Sequence, residues 1–459
     1  MGSIAATTPF PRAIKRVAVI GAGIGGLISA KSLKDEGYFD KIRVFDRNPY
    51  SGGTWIYSPN YGIKTPVPNI KPQHGPPQDP SKVPASAIYS NLHTNLPIDV
   101  MCLRNRPFIE ATPEFPGHES VLDYIRRFEK DENLMDLVQY NTNVTEAEYK
   151  DNEWLITYFN IATGETSVDA FDALIVANGH YYDPFIPDID GLKRYKEMEQ
   201  QRDNGIKIIH SREYREPQEF NGKNILVVGN SASANDVARE ALTTAKKVYQ
   251  SVRASSLPPL DPNSVSQVAK IPEIKEFLHD GQSSSIKLQD GNCLTDIDCI
   301  VFATGYLFSL PFLTRSEGEK LITDGQRVHN LYRHLFYINN PTLAFIGLPI
   351  RIVPFPISQS QSKVIARCWS GKTKFPTRQE MEDWHNMQPR PERPRDDFVF
   401  GAEKEFQYMD RLNMWAEGHH PDDDVNNWSS SDPETGEISS RYKDRRTKAL
   451  DLRRAALGY

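Results

Sequence analysis

A run of glycines between two short apolar segments constrains this chain more than any other feature. Residues 15–20 (KRVAVI) have the β-branched pattern of a strand, and Gly21-Ala22-Gly23-Ile24-Gly25-Gly26 follows at once. Leu27, Ala30 and Leu33 then recur at helical spacing as far as Gly37, and residues 41–47 (KIRVFDR) read as a second strand. This is a βαβ unit with G-x-G-x-x-G at its first turn. Each glycine has its own task. Gly21 permits a tight turn out of the strand, Gly23 lets a pyrophosphate approach the backbone, and Gly26 lets helix and strand pack closely. The helix start adds unpaired N–H groups and the positive end of its dipole. Asp46 falls 20 residues after Gly26, at the end of the second strand, where a carboxylate accepts hydrogen bonds from a ribose. An acid there suits a ribose without a 2′-phosphate, which means FAD or NAD and not NADP. Gly52-Gly53-Thr54-Trp55 follows, where backbone can approach a second part of the same dinucleotide.

A second unit of the same kind starts at Lys223. Residues 223–229 read as a strand, 235–245 as a helix and 246–253 as another strand. Its turn, Gly229-Asn230-Ser231-Ala232-Ser233-Ala234, has serine for the middle glycine and alanine for the last. Alanine is tolerated in the last place, and the Ser231 hydroxyl can itself meet a phosphate. The following strand ends in Arg253 with no acid. A guanidinium is a planar, permanently charged partner for a 2′-phosphate. FAD on the first motif and NADPH on the second is the simplest assignment.

At roughly 100–200 residues per domain, 459 residues predict two or three domains. Lys and Arg number 54 against 60 Asp and Glu, a net charge of −6, and no basic run occurs. Nucleic-acid binding, which needs clustered cations, is therefore not expected. Cys102, Cys293, Cys299 and Cys368 are too sparse for a disulfide scaffold, and none forms C-x-x-C, so neither a zinc ribbon nor a redox dithiol is expected. The N-terminus lacks the apolar core of a signal peptide, and Ala6 stands where a myristoylation motif has Ser or Thr. The longest apolar stretch, around residues 17–30, is too short and glycine-rich to span a bilayer. Asn143 and Asn427 head glycosylation tripeptides of a kind that arises often by chance. These features predict a cytoplasmic protein without a membrane span or a metal site.

Residues 60–100 are rich in proline and read as an ordered, irregular loop packed over something else. Residues 253–295 read as a surface insertion. In the tail, Thr377 and Glu380 form a capping box before a helix with Met381 and Trp384. Phe406, Met409, Leu412 and Trp415 form an apolar stripe that packs on the main body.

A chain with both sites moves a hydride from NADPH to flavin, and the electrons then pass to a dithiol or to oxygen. Without C-x-x-C, oxygen chemistry is favoured. Further segments then match a family almost end to end. They are SNLHTNLPIDVM (90–101), FPGHESVLDYIRRF (115–128), VANGHYYDPFIP (176–187), HSREYREPQEFNGKNILVVGNSASANDVA (210–238), FATGY (302–306), VHNLYRHLFYINNPTLAFIGLP (328–349) and VPFPISQSQSKVIARCWSG (353–371). With them the chain resembles the flavin-containing monooxygenases, most of all the yeast and filamentous-fungal branch. It departs from the family signature F-x-G-x-x-x-H-S-x-x-Y. Four residues separate Gly205 from His210 instead of three, and Asp203 replaces the phenylalanine. Asp46 stands where the family mostly has glutamate.

The resemblance implies an α/β fold with two Rossmann-like domains, the NADPH domain inserted in the FAD domain. Ala177-Asn-Gly-His180 and Ala303-Thr-Gly-Tyr306 mark the crossings, giving an FAD domain of 1–183 plus 305–459 and an NADPH domain of 184–304. It implies that NADPH reduces FAD and that oxygen adds to give a flavin C4a-hydroperoxide, shielded by NADP⁺. A soft nitrogen or sulfur nucleophile of a small molecule then takes the terminal oxygen. Asn95 matches the family's active-site asparagine. Leu92, Thr94, Val144 and Gln359 join the FAD contacts and Asp236 those of NADPH, while His93 and His180 are structural or support the residues of the site, and are not catalytic. A homodimer is a family expectation. A Baeyer–Villiger monooxygenase, an uncoupled NADPH oxidase and a silent nucleotide-binding partner protein remain as alternatives. Tyr214, where the Baeyer–Villiger signature ends in Trp, argues for N- or S-oxygenation.

Overall fold

The computed structural model describes residues 10–72, 79–202, 205–256, 268–280, 283–313, 318, 320–425, 428–430 and 436–458. Strand Arg16–Ile20 lies inside a seven-stranded sheet. Lys41–Phe45 pairs with it in parallel on one side and Ala173–Val176 on the other. Val138–Gln139 extends the sheet beyond Lys41–Phe45, and Leu343–Phe345 beyond Ala173–Val176, both in parallel. Antiparallel Phe336–Tyr337 and Leu331–Tyr332 complete one edge.

The central strand is apolar on both faces because both are covered. Val17 and Val19 enter a core shared with helices Ile24–Glu36, Pro354–Trp369 and Ala402–Ala416. Ala18 and Ile20 enter the opposite core, with Trp154, Ile156 and Phe171 from the antiparallel layer Thr142–Lys150, Glu153–Asn160 and Thr166–Phe171.

The second sheet has five strands, all parallel, in the order Val268–Ile271, Lys247–Ser251, Asn224–Val228, Cys299–Phe302, Lys207–His210. They come from one continuous stretch of chain, and strands of the first sheet precede and follow it. Where the chain crosses over and returns, Asp183–Pro184 pairs antiparallel with Tyr306–Leu307. Phe185 N–H donates to the Gly305 carbonyl at 2.8 Å, and the Thr304 hydroxyl donates to the Phe185 carbonyl. The fold is thus mixed α/β with two units, each built on a largely parallel sheet.

The expected surface insertion at 253–295 is corrected. Val268–Ile271 joins the parallel sheet, and Ile274–His279, Ser284–Leu288 and Cys293–Leu294 form an antiparallel layer. Its inner face, Ile274, Phe277, Ile286 and Leu288, packs on Leu192 and Tyr195. Of the residues that suggested a loop, 257–264 and 281–282 lie outside the described residues, and Ser284 and Ser285 stand within the strand Ser284–Leu288. The loop within 60–100 does pack on the second unit. The Arg215 guanidinium donates to the Ser86 carbonyl at 3.0 Å, and Arg212 to that of Ala85 at 3.0 Å. The capping box forms around helix Arg378–Met387, with Thr377 N–H donating to Glu380 Oε2 at 2.7 Å. Ala6, Asp203 and Asn427 lie outside the described residues. All four cysteines are free, and among the described residues no helix is long and apolar enough to cross a membrane.

Trp154 is fully buried, and its indole N–H donates to Thr342 Oγ1 at 2.9 Å. Trp154→Ala is predicted to lower stability by about 3–5 kcal/mol, read as a lower urea midpoint. An unchanged midpoint contradicts this packing.

Candidate functional site

A cleft of about 2400 Å³ lies between the two units and takes in the carboxyl ends of both central strands, Ile20 and Val228. Strand ends of parallel sheets are where such folds hold ligands. Single-ligand pockets run to roughly 300–1,000 Å³, so this volume suits more than one large ligand.

The two glycine turns enter the cleft in the same way. Gly21 N–H donates to the Phe45 carbonyl at 2.8 Å, and Gly229 N–H to the Ser251 carbonyl at 3.0 Å. Ala177 N–H donates to Ile20 and Ala303 N–H to Val228, each at 2.9 Å. Gly21 has φ +105° and Gly229 φ +130°, and a Cβ on either would fall 2.5 or 2.6 Å from the carbonyl oxygen of Ala177 or Ala303. Gly23 differs. Its φ is −70°, and a Cβ there would come no closer than 3.5 Å, to Gly53 Cα, in the space of the cleft. Gly23 is therefore bare for the sake of whatever lies in the cleft, which fits a pyrophosphate against the backbone.

Helices Ile24–Glu36 and Ala232–Ala241 start at these turns. Neither has a side-chain cap or an acid in its first turn. Helix Pro354–Trp369, whose start also lines the cleft, shares both properties. Three uncapped positive helix ends thus face one space, a setting for anions.

The two strand ends carry different groups. Asp46 follows Phe45 and is buried. Its Oδ2 accepts from Ala22 N–H at 2.6 Å, and its Oδ1 from Asn48 N–H at 2.7 Å. Burial pushes its pKa up, against these hydrogen bonds. Oδ1 also accepts from the Asn48 side-chain amide at 2.9 Å, so it is Oδ2 that keeps acceptor capacity for a ribose hydroxyl. At the matching place after Ser251 stands buried Val252, followed by Arg253, which lines the cleft and is exposed.

Asn95 sits on a braced loop. Thr94 N–H donates to the Pro116 carbonyl at 3.0 Å, the Thr94 hydroxyl to the Leu96 carbonyl at 2.9 Å, and Ile98 N–H to the Glu114 carbonyl at 3.0 Å. The Asn95 side chain is exposed to the cleft. Gly25, Gly53, Thr54, Trp55, Leu92, Thr94, Val144, Asn230, Ser231, Ala232 and Ser233 also line it. Ala22 and Gly26 are buried behind the turn. Gly26 acts through packing, since a Cβ there would lie 1.8 Å from the Gly21 carbonyl oxygen.

One expectation needs correction. Gln359 does not reach the cleft. Its side-chain oxygen accepts from Arg104 N–H at 3.1 Å, beside a small separate pocket of about 170 Å³. Its neighbour Ser358 faces the cleft instead, because one helical step turns a side chain by about 100°. Asp236 lines the cleft, but its carboxylate is engaged by protein, with Tyr89 donating to Oδ2 at 2.7 Å and Arg453 to both oxygens. His93 is held by the Asn91 carbonyl at 3.0 Å. Burial pushes His180 and His210 down to about 3, so both are neutral near pH 7. Sequence reasoning did not single out Arg453, Tyr89 or the start of helix Pro354–Trp369. Only the last carried a local signal, a proline at a helix start.

The model of the flavin-binding monooxygenase-like family matches residues 77–257 and 262–433, and that of an NAD(P)-binding Rossmann-like domain matches 19–75. The flavin-containing monooxygenase ustF2 of Aspergillus flavus is 32% identical, over 81% of this chain and 85% of its own. Flavin-containing monooxygenase FMO GS-OX-like 8 of Arabidopsis thaliana is 33% identical, over 82% of this chain and 79% of its own. The structure of S-allyl-L-cysteine S-oxygenase from Allium sativum superposes with a TM-score of 0.78 at 30% identity, covering 96% of this chain and 93% of that one.

The glycine geometry separates two outcomes. Gly23→Ala is expected to fold, giving a wild-type circular dichroism spectrum, but to purify without flavin. Gly26→Ala is expected to yield no soluble folded protein. Gly23→Ala protein with a full flavin complement would contradict the pyrophosphate cradle.

Proposed function

The chain belongs to the flavin-binding monooxygenase-like family, an oxidoreductase family that uses FAD and NADPH, and we propose that it oxygenates a soft nitrogen or sulfur of a small molecule. In this reading the sheet containing Arg16–Ile20 carries FAD, with residues 1–183 and 305–459, and residues 184–304 carry NADPH. One observation carries it: two equivalent glycine turns face one cleft, with Asp46 beside one and Val252-Arg253 beside the other. The S-oxygenase activity named for the Allium sativum relative makes thioether sulfur the first substrate class to try.

FAD, when bound, supplies the chemistry of taking a hydride from NADPH and passing its electrons to oxygen. Overall, NADPH, a proton, O₂ and substrate give NADP⁺, water and substrate carrying one oxygen atom. The chain's residues bind and orient. The Gly21–Gly26 backbone and the helix start at Ile24 hold the FAD pyrophosphate, and Asp46 accepts from its ribose. The Gly229–Ser233 turn holds the NADPH pyrophosphate, and Arg253 pairs with the 2′-phosphate. The Asn95 amide both donates and accepts, and so can hold the nicotinamide side and the reacting oxygen together. His180 and His210 are neutral near pH 7 through burial. All four cysteines are free, in keeping with a reducing cytoplasm.

Asn95→Ala is expected to keep bound FAD and its reduction by NADPH while losing oxygenated product. Product formation near the wild-type rate contradicts the role. Arg253→Ala should raise the KM for NADPH by roughly tenfold or more, the worth of about 1.5–3 kcal/mol for a charge-assisted contact, with little change for NADH. Equal effects on the two nucleotides would remove the 2′-phosphate assignment. Oxygen uptake and product analysis across thioethers, thiols, amines and ketones test the substrate class.

A further inference from the structure

The last helices, Ser440–Thr447 and Ala449–Leu457, lie beyond the residues matched by the family model, yet they line the cleft through Arg446, Ala449, Leu450 and Arg453. Their arginines grip the loop around Asn95 from both flanks. Arg445 Nε lies 2.7 Å from Asp99 Oδ2, and Arg445 also donates to Glu114, whose backbone carbonyl accepts from Ile98 N–H. Arg446 pairs with buried Glu405 at 3.0 Å and donates to the Arg351 carbonyl at 2.9 Å, which fastens the tail to the body.

Arg453 reaches furthest in. Its side chain is 6% exposed. Nε donates to the Thr94 carbonyl at 3.0 Å, and Nη2 to the His93 carbonyl at 3.4 Å. Nη1 and Nη2 donate to Asp236 Oδ1 and Oδ2 at 3.1 and 3.0 Å, Tyr89 donates to Oδ2 at 2.7 Å, and Arg239 lies 3.6 Å from Oδ1. Asp236 belongs to the helix that starts at the second glycine turn, and Thr94 immediately precedes Asn95. One planar guanidinium therefore fixes three separate pieces of chain: the tail, the helix of the second motif, and the Asn95 loop.

We infer that Arg453 is a positioning residue, which sets the separation between the Asn95 loop and the second nucleotide's helix so that Asn95 meets the nicotinamide side in one geometry. This rests on the proposed function. A bond made only for stability is a weak explanation, because a buried ion pair contributes little over an apolar replacement. A five-donor fork with fixed angles, in contrast, is suited to setting a distance and an orientation.

Three proteins and two readouts test this: wild type, Arg453→Met and the double variant Asp236→Asn/Arg453→Met, each loaded with FAD. The readouts are the ratio of oxygenated product to hydrogen peroxide and the deuterium exchange of amides 92–96. In Arg453→Met the ratio should fall roughly tenfold or more, since a misplacement of about 1 Å can cost that much, and exchange should quicken. The double variant buries no unpaired charge and should regain thermal stability, yet its ratio should stay low because the carbonyl contacts to residues 93 and 94 are still missing. Recovery of the wild-type ratio in the double variant overturns the inference, as does unchanged exchange in Arg453→Met. If wild type makes no oxygenated product at all, the proposed function fails, and the exchange measurement alone decides the role of Arg453.

Discussion

At each glycine turn the missing side chain is pressed against a carbonyl oxygen of the strand alongside, Ala177 for Gly21 and Ala303 for Gly229. The rest of the site depends on this steric constraint. It lets the strand end, the turn and the helix start come within hydrogen-bond distance of the next strand, so the helix N-terminus opens toward the cleft and not toward solvent. Because Ala177 and Ala303 head the two segments that cross between the units, the same contact ties each nucleotide turn to a crossing. A methyl group at Gly21 or Gly229 would therefore disturb a binding turn and a crossing together.

What the cleft offers is geometry and electrostatics. Three uncapped helix starts and the exposed Arg253 favour anions, although the chain carries a net charge of −6. In the proposed reading two anionic dinucleotides would be received by local helix dipoles and by cleft-lining arginines such as Arg253, and the overall balance says nothing about them. The histidines nearest the crossings are neutral through burial, and Asn95 is the polar side chain presented on a braced loop. Such a site suits chemistry that the cofactor brings and the protein aligns.

Much of this was legible in the sequence because its signals are local. A strand, a glycine turn and an apolar helix follow one another within about 30 residues, and the acid or arginine that sorts the riboses sits at the next strand's end. The Thr377–Glu380 capping box is likewise a four-residue pattern. Val268–Ile271 and the layer after it were hidden, because strands of two to six residues between Ser, Asp and Gly turns look like loop until their buried faces are seen together. Gln359 was misplaced because a resemblance supplies a position on a helix and not the direction of its side chain. The Arg453–Asp236 pair spans 217 residues, and no periodicity or motif connects two such positions.

The central claim, FAD and NADPH facing each other across one cleft with oxygen as the electron acceptor, is tested most directly by an anaerobic NADPH titration of the purified protein followed by admission of oxygen. The expected result is a yellow protein whose visible flavin absorbance bleaches with one equivalent of NADPH and returns only when oxygen enters, with one oxygenated substrate molecule formed per NADPH in the presence of a thioether or amine that it accepts. A flavin that stays oxidised under NADPH would contradict it.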